Sequence, residues 1–286
     1  MTTKVGLLYT RIREEEKMLL KELEKRSNVK VTMVDDRECF FDIDPKVCNI
    51  QFDVVMNRSV AFTRGLYSVA CYEQCNIPTV NNFKVSNICG DKAWTSLILK
   101  KAGVPTPRTT IAFSEESALK AIDKMGGYPV VLKPVSGSWG RLIAKVSDRE
   151  AAEAILEHKL SLGEFVHSVF YIQEFIKKPG RDIRAFVIDG ELVAAIYRIS
   201  EHWITNTARG GGAEPCPMTP ELKEICAKTS DAIGGGILAV DLMEDKKEGN
   251  FLVHEVNHTP EFRNTVKSNP DLVKLYIDYV LKVAKR

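Results

Sequence analysis

His254-Glu255-Val256-Asn257-His258, inside the run FLVHEVNHTPEF, spells H-E-x-x-H. In that pattern two histidines four apart on a helix hold zinc and the glutamate works as general base. The flanks argue against a helix. Phe251, Leu252, Val253 and Val256 favour a strand, Gly249-Asn250 precede them as a turn, and Pro260 follows almost at once. A strand has a side-chain period of two, so Glu255 and Asn257 share one face while His254, Val256 and His258 share the other. Carboxylate plus carboxamide is a hard-oxygen pair, suited to magnesium.

Asp241 lies in the apolar run Ile237-Leu238-Ala239-Val240-Asp241-Leu242, where a carboxylate is costly unless paired or metal-bound. Two readings stand: a Mg²⁺ site shared with Glu255 and Asn257, or an ionic core pair with Arg263. Lys92 opens a helix after Gly90-Asp91, Lys133 ends a strand, and Arg184 follows Arg181-Asp182-Ile183. A lysine about 4 Å from a phosphate gains ~4 kcal/mol at an effective dielectric near 20, so such positions suit phosphate holders. The loop Ser136-Gly137-Ser138-Trp139-Gly140-Arg141 can bring backbone N–H groups to phosphate oxygens, or simply turn a hairpin. It is not a Walker A loop, since no Gly-Lys-Ser/Thr follows.

The elements that must position these groups can be read in order. Strands at 4–9, 29–34, 53–57 and 78–80 alternate with helices at 14–26 and 65–75, an open α/β unit whose loops carry Arg11, Arg58, Ser59 and Arg64. A helix is expected over 87–102, then strand 107–113, helix 114–125 and strand 129–132. Strand 142–146, helix 148–159 and strand 170–175 follow. Strands 182–188 and 192–199 form a hairpin across Asp189-Gly190. A glycine-rich 206–212 stretch leads to a helix over 220–233. Strands 236–244 and 250–257 pair, and a helix over 270–284 ends the chain.

Bulk properties narrow the class. The chain has 286 residues, 44% hydrophobic and 27% charged, enough for two or three domains. A net charge of +2 gives no case for nucleic acid, and no apolar run approaches a membrane span. The N-terminus enters the strand-like KVGLLY without a signal peptide, and seven scattered cysteines read as reduced thiols, so the expected location is cytoplasmic.

Taken in order, Gly90-Asp91-Lys92, Val131-Leu132-Lys133-Pro134, the 137–141 loop, Gln173-Glu174-Phe175-Ile176, Arg181-Asp182-Ile183-Arg184, Asn206 with Arg209-Gly210-Gly211, Asp241 and Glu255-Val256-Asn257 resemble the ATP-grasp ligases, most closely the RimK/LysX branch. The resemblance implies an α/β (α+β) ATP-grasp fold. Its parts would be a pre-ATP-grasp α/β domain over 1–83, a central subdomain with glycine-rich lid over 84–172, and a C-terminal subdomain with the Mg site over 173–286. It further implies that Lys92, Lys133 and Asn206 contact ATP phosphates under a lid formed by Gly137, Ser138, Trp139, Gly140 and Arg141. Gln173, Glu174, Phe175 and Ile176, with Arg181 and Asp182, belong to the nucleotide site. Arg184, Arg198 and Arg209 serve the reacting groups, and Asp241, Glu255 and Asn257 hold two Mg²⁺.

In LysX-like enzymes a carboxylate on the C-terminal glutamate of the acidic carrier protein LysW becomes an acylphosphate, and the amine of 2-aminoadipate displaces phosphate. ArgX-like sisters use glutamate. The resemblance places the discriminating pair at Asn264-Thr265, small and polar, on the aminoadipate side. One methylene is worth only about 1–3 kcal/mol, so a glutamate ligase or a bifunctional enzyme is the alternative within the class. A non-catalytic ATP-binding module is the alternative outside it. The family also implies a homo-oligomer, dimer or tetramer.

Overall fold

The computed structural model describes residues 2–48, 50–137, 141–162, 168–205, 211–246 and 249–285. The N-terminal β-forming runs become β1 (Thr3–Tyr9), β2 (Val29–Asp35), β3 (Val54–Arg58) and β4 (Thr79–Val80), a parallel sheet in the order β2-β1-β3-β4. Helices α1 (Glu14–Glu24) and α2 (Phe62–Gln74) connect its strands.

The expected single helix over 87–102 is two helices, α3 (Phe83–Gly90) and α4 (Lys92–Lys101). Asp91 leaves the helical region (φ −124°, ψ 114°) and its carboxylate accepts from the Trp94 N–H at 2.9 Å. This N-cap starts α4 afresh, with Lys92 as its first residue. Gly90 ends α3 against Phe62, whose ring would lie 2.0 Å from an added Cβ.

The second sheet is antiparallel, in the order β5 (Thr109–Ala112), β8 (Phe170–Glu174), β6 (Val130–Lys133) and β7 (Ala144–Val146). It is backed by α5 (Glu115–Lys124) and α6 (Arg149–Ser161), which start at the capping side chains of Ser114 and Asp148. The third sheet is also antiparallel: β11 (Gly212–Pro215), β10 (Glu191–Ile199), β9 (Arg181–Ile188), β12 (Ile237–Glu244) and β13 (Phe251–Asn257). Asp189 and Gly190 both take positive φ (50° and 89°), as a two-residue turn between β9 and β10 needs. The helix α7 (Pro220–Ile233) is capped by Thr219 and closed by Gly234 at φ 111°, and α8 (Leu272–Val283) ends the chain.

Packing groups these pieces differently from the expected middle unit. Val85 and Ile88 of α3 and Leu99 of α4 join the core of the third sheet with α7, not that of the second. The first and third sheets share a core through Val5, Leu7, Met56, Phe186, Phe262 and α8. The core of the second sheet contains only residues 112–172.

The thiol expectation also needs correcting. Cys48 and Cys75 form a disulfide, with Cα atoms 6.0 Å apart, while Cys39, Cys71, Cys89, Cys216 and Cys226 are free. The chain after β2 returns across the end of α2, which brings together residues 27 apart in sequence. No described helix is long and apolar enough to cross a membrane.

Candidate active site

Strand parity on β9 sends Ile183, Ala185 and Val187 into the apolar core and Asp182 and Arg184 to the other face. Register then builds two polar rows across that face. Arg198 of β10 sits opposite Asp182, and Arg184 lies between Ile196 and Asp241, with Glu255 beyond Asp241. Arg184 grips Asp241 with two bonds, Nε to Oδ1 at 2.9 Å and Nη2 to Oδ2 at 2.8 Å. Arg198 does the same to Asp182 at 2.7 and 2.9 Å and reaches Asp241 at 3.1 Å. The core-pair partners of Asp241 are therefore Arg184 and Arg198. Burial alone would raise the Asp241 carboxyl, but the two guanidinium groups outweigh it and hold it well below the usual range.

Asn257 Nδ2 lies 3.5 Å from Asp241 Oδ2, and Glu255 stands 3.6 Å from Lys92 Nζ. All three oxygen-bearing side chains line one cavity, so the residues present fit a hard divalent cation such as magnesium. The zinc pairing is not formed. His258 contacts Thr259 at 2.9 Å and packs its ring 5.9 Å from Phe62, away from the cavity lining.

His254 departs from the expected alternation. Glu255 pairs with Asp241 but Val253 pairs with Leu242, so His254 is the extra residue of a β-bulge. Its imidazole lines the cavity beside Glu255, and neither ring nitrogen has a hydrogen-bond partner. Burial, reinforced by the Lys133 charge, pushes it down to about 3, so it is neutral at pH 7.

The second sheet supplies the opposite wall. Lys133, 6% exposed at the end of β6, donates to Gln173 Oε1 at 2.7 Å. Burial, aided by Lys92 and Lys178, pushes this ammonium down to about 8 against the opposing pull of Glu255 and Asp241. From the last residue of β8, Glu174, the chain passes between the two sheets along the cavity edge through Phe175 and Ile176. Glu174 accepts from the Arg108 N–H at 2.5 Å, and the Lys145 ammonium lies 4.1 Å over the Phe175 ring. Val131, Ile143, Trp203, Ile204 and Met243 complete an apolar slot there.

The cavity thus gathers Lys133, Gln173, Glu174, Phe175, Ile176, Asp182, Arg184, Arg198, Asp241, Glu255 and Asn257. Lys92 stands just behind, donating to the Gly137 carbonyl at 2.6 Å. Arg181 is not in the lining: it pairs with Glu244 at 2.7 and 2.9 Å and stacks 3.8 Å over Tyr197. Its parity is opposite to that of Asp182 and Arg184, a signal already present in the sequence. Arg141 is exposed and outside the cavity lining. Ser138, Trp139, Gly140, Asn206 and Arg209 lie outside the described residues.

Sequence reasoning overlooked Lys178, whose ammonium bonds Thr205 at 2.7 Å and lies 3.5 Å from Asp182. Burial lowers its affinity for the proton. Position between Ile176 and Pro179 gives no periodic clue to it.

Asn264 and Thr265 line a smaller pocket with Arg184, Ile196, Arg198, Glu261 and Arg263, so Arg184 and Arg198 border both spaces. The segment carrying them is fastened to the N-terminal domain. Arg58 donates to the Pro260 carbonyl at 3.0 Å, the Arg263 N–H reaches Glu15 at 3.3 Å, and Asn81 donates to the His258 carbonyl at 2.6 Å.

Residues 89–280 match the model of the RimK-like ATP-grasp domain, and residues 5–88 match the LysX preATP-grasp domain. The chain belongs to the RimK-like ATP-grasp family, with a LysX-type preATP-grasp domain at its N-terminus. It is 37% identical over 275 residues, 96% of each chain, to the alpha-aminoadipate–LysW ligase LysX of Sulfurisphaera tokodaii. It is 34% identical to the glutamate–LysW ligase ArgX of Sulfolobus acidocaldarius, covering 97% of this chain and 98% of that one. Among solved structures, a RimK domain ATP-grasp protein from Sphaerobacter thermophilus superposes with a TM-score of 0.80 at 25% identity, covering 98% of this chain and all of the other.

Proposed function

We infer that the protein is an ADP-forming carboxylate–amine ligase. It joins the amino group of 2-aminoadipate to the C-terminal glutamate side chain of the acidic carrier protein LysW, a step of lysine biosynthesis. The observation that carries the chemistry is the polar face of the third sheet, where Asp241, Glu255 and Asn257 meet Arg184 and Arg198 across a cavity from Lys133. The full-length likeness to the alpha-aminoadipate–LysW ligase supports the choice of substrates.

ATP lies with its base in the slot of Val131, Phe175, Ile176 and Met243 and its phosphates toward Lys133 and Lys92. Asp241, Glu255 and Asn257 would hold two Mg²⁺, which would supply charge neutralisation at the phosphates. The chain's own part is positioning. Arg184 and Arg198 border both the phosphate space and the Asn264-Thr265 pocket, so they orient the carboxylate that attacks the γ-phosphorus. That attack forms an acylphosphate and releases ADP; the amine then attacks the acyl carbon, phosphate leaves, and the amine's proton passes to solvent. Guanidinium groups facing the developing oxyanion lower the barrier by charge stabilisation, and no protein nucleophile takes part.

Asn264 and Thr265 are the residues assigned to amine choice, with the pocket bordered by Arg263 receiving the amino acid. The working form is a homo-oligomer, to be measured by light scattering. The decisive test is mass spectrometry of the carrier after incubation with ATP, Mg²⁺ and equal amounts of 2-aminoadipate and glutamate. An aminoadipate adduct is expected. A predominant glutamate adduct makes the protein a glutamate–LysW ligase, and an unchanged carrier without ADP release makes it a nucleotide-binding module.

A further inference from the structure

Gln173 stands in the cavity lining, yet both of its amide N–H donors and one lone pair of its oxygen are already committed to the protein. Its Oε1 accepts from Lys133 at 2.7 Å, and its Nε2 donates to Tyr171 Oη at 3.0 Å and to Thr109 Oγ1 at 3.1 Å. A lysine ammonium can only donate, so Oε1 must face Lys133 and the amide orientation is fixed. The far end is anchored as well. Thr109 Oγ1 donates to the Pro107 carbonyl at 3.0 Å, and Tyr171 Oη meets Ser96 Oγ of α4 at 2.8 Å. Gln173 and Tyr171 are 2% and 1% exposed, so water offers them no alternative partners.

Lys133 has three donors, of which one goes to Gln173, leaving two for the cavity. The acceptor is a neutral amide. A carboxylate there would hold the ammonium equally well but would cancel the charge that phosphates are drawn to.

We propose that Gln173, backed by Tyr171, Thr109 and Ser96, is a positioning residue that aims the Lys133 ammonium at the nucleotide phosphates while leaving its charge uncancelled. This rests on the assignment of Lys133 as a phosphate contact. The groups that face Lys133 are Glu255 of β13, Asp241 of β12, Lys92 of α4 and Lys178 after β8, and all of them remain in place when Gln173 is replaced.

The test measures binding of a non-hydrolysable ATP analogue with Mg²⁺ to the full chain as a function of pH, alongside melting temperature. In the wild type, affinity should fall on the alkaline side as Lys133, whose hold on its proton is weakened by burial, becomes neutral. Gln173→Met keeps the volume but removes the acceptor. It should weaken binding on the order of tenfold and move the alkaline fall to lower pH. Gln173→Glu should also weaken binding, by cancelling charge, but should move the fall to higher pH. Opposite movements of the two variants support the clamp; a fall that stays at the wild-type pH in both overturns it. Should Gln173→Met fail to fold, Tyr171→Phe and Ser96→Ala carry the test, each expected to shift the fall slightly downward, and unmoved profiles in both overturn the proposal. Lys133→Met separates the premise: undiminished binding there removes Lys133 from the phosphate site and the clamp with it. Tight nucleotide binding without amide formation overturns the ligase function alone.

Discussion

Two buried arginine–carboxylate clusters use the same chemistry to opposite ends. In one, Arg58 lies fully buried between the N-terminal domain and the chain after β13, bonded to Glu16 at 2.9 Å and to the Pro260 carbonyl, with its guanidinium 5.7 Å from the Phe262 ring centroid. In the other, Arg184 and Arg198 hold Asp182 and Asp241 on a sheet face that borders the nucleotide cavity. The first cluster is walled by protein, so its partners are fixed once the chain folds. The second borders an open cavity, so its guanidinium groups are placed to meet a ligand that enters there. Ion pairing contributes to architecture in one place and to ligand response in the other.

The sharpest way to break the comparison is Arg58→Met. Glu16 keeps its pair with Arg13, but it loses the buried Arg58 bond and the Pro260 carbonyl loses its donor, which should cost about 1–3 kcal/mol of stability, measured by denaturant unfolding, while the KM for ATP of the folded fraction stays unchanged. An altered ATP KM at wild-type stability would reverse the roles of the two clusters. Next in size, Glu255→Ala should lower turnover by roughly 10²–10³, the scale of removing one transition-state charge stabiliser, with a small change in melting temperature because Glu255 is only half-buried. His254→Ala should be milder in kinetics, and metal analysis of the purified protein should find no stoichiometric zinc.

Lys133 gives a pH signature that Arg58 cannot. Its folded-state proton affinity is depressed, so the unfolded chain binds more protons between about pH 8 and 10.4, and nucleotide-free stability attributable to this residue rises across that window. Lys133→Met should therefore melt higher than the wild type at pH 7, with the gap closing as pH rises. Smallest is the amine pocket. Thr265→Phe, with Asn264→Gly, should shift the aminoadipate-to-glutamate ratio of kcat/KM by about 10–200-fold toward glutamate, read by competition.

Much of this arrangement was legible because polar residues in β-forming runs obey period two. Asp182 with Arg184 and Glu255 with Asn257 stand at i and i+2, and the sheet places them on the cavity face. The Asp189-Gly190 turn and α7, from Pro220 to Ile233, were equally plain from their turn and cap residues. What escaped was governed by partners remote in sequence. The bulge at His254 depends on the register with β12, and the edge strand Gly212–Pro215 has no β-forming side chains and exists through backbone pairing to β10. The Cys48–Cys75 bond depends on a loop returning across α2. Arg181 differs, since its parity is readable in the sequence and sets it on the face away from Asp182 and Arg184.

Asn81 carries a consequence for the cavity. Its side chain accepts from the Ile237 N–H at 2.7 Å and donates to the carbonyls of Ile237 and His258, both at 2.6 Å, riveting the first domain to the start of β12 and the residue just after β13. With a hydrophobic core shared besides, those two parts pack as one unit. The second sheet and its helices keep a core of their own, which meets that body along the strip from Gln173 to Ile176 and at α4, where Ser96 bonds Tyr171 and Lys92 bonds the Gly137 carbonyl. The Lys133 ammonium therefore belongs to one packing unit and Asp241 and Glu255 to the other, so the distance between them across the cavity is set by how the two units meet.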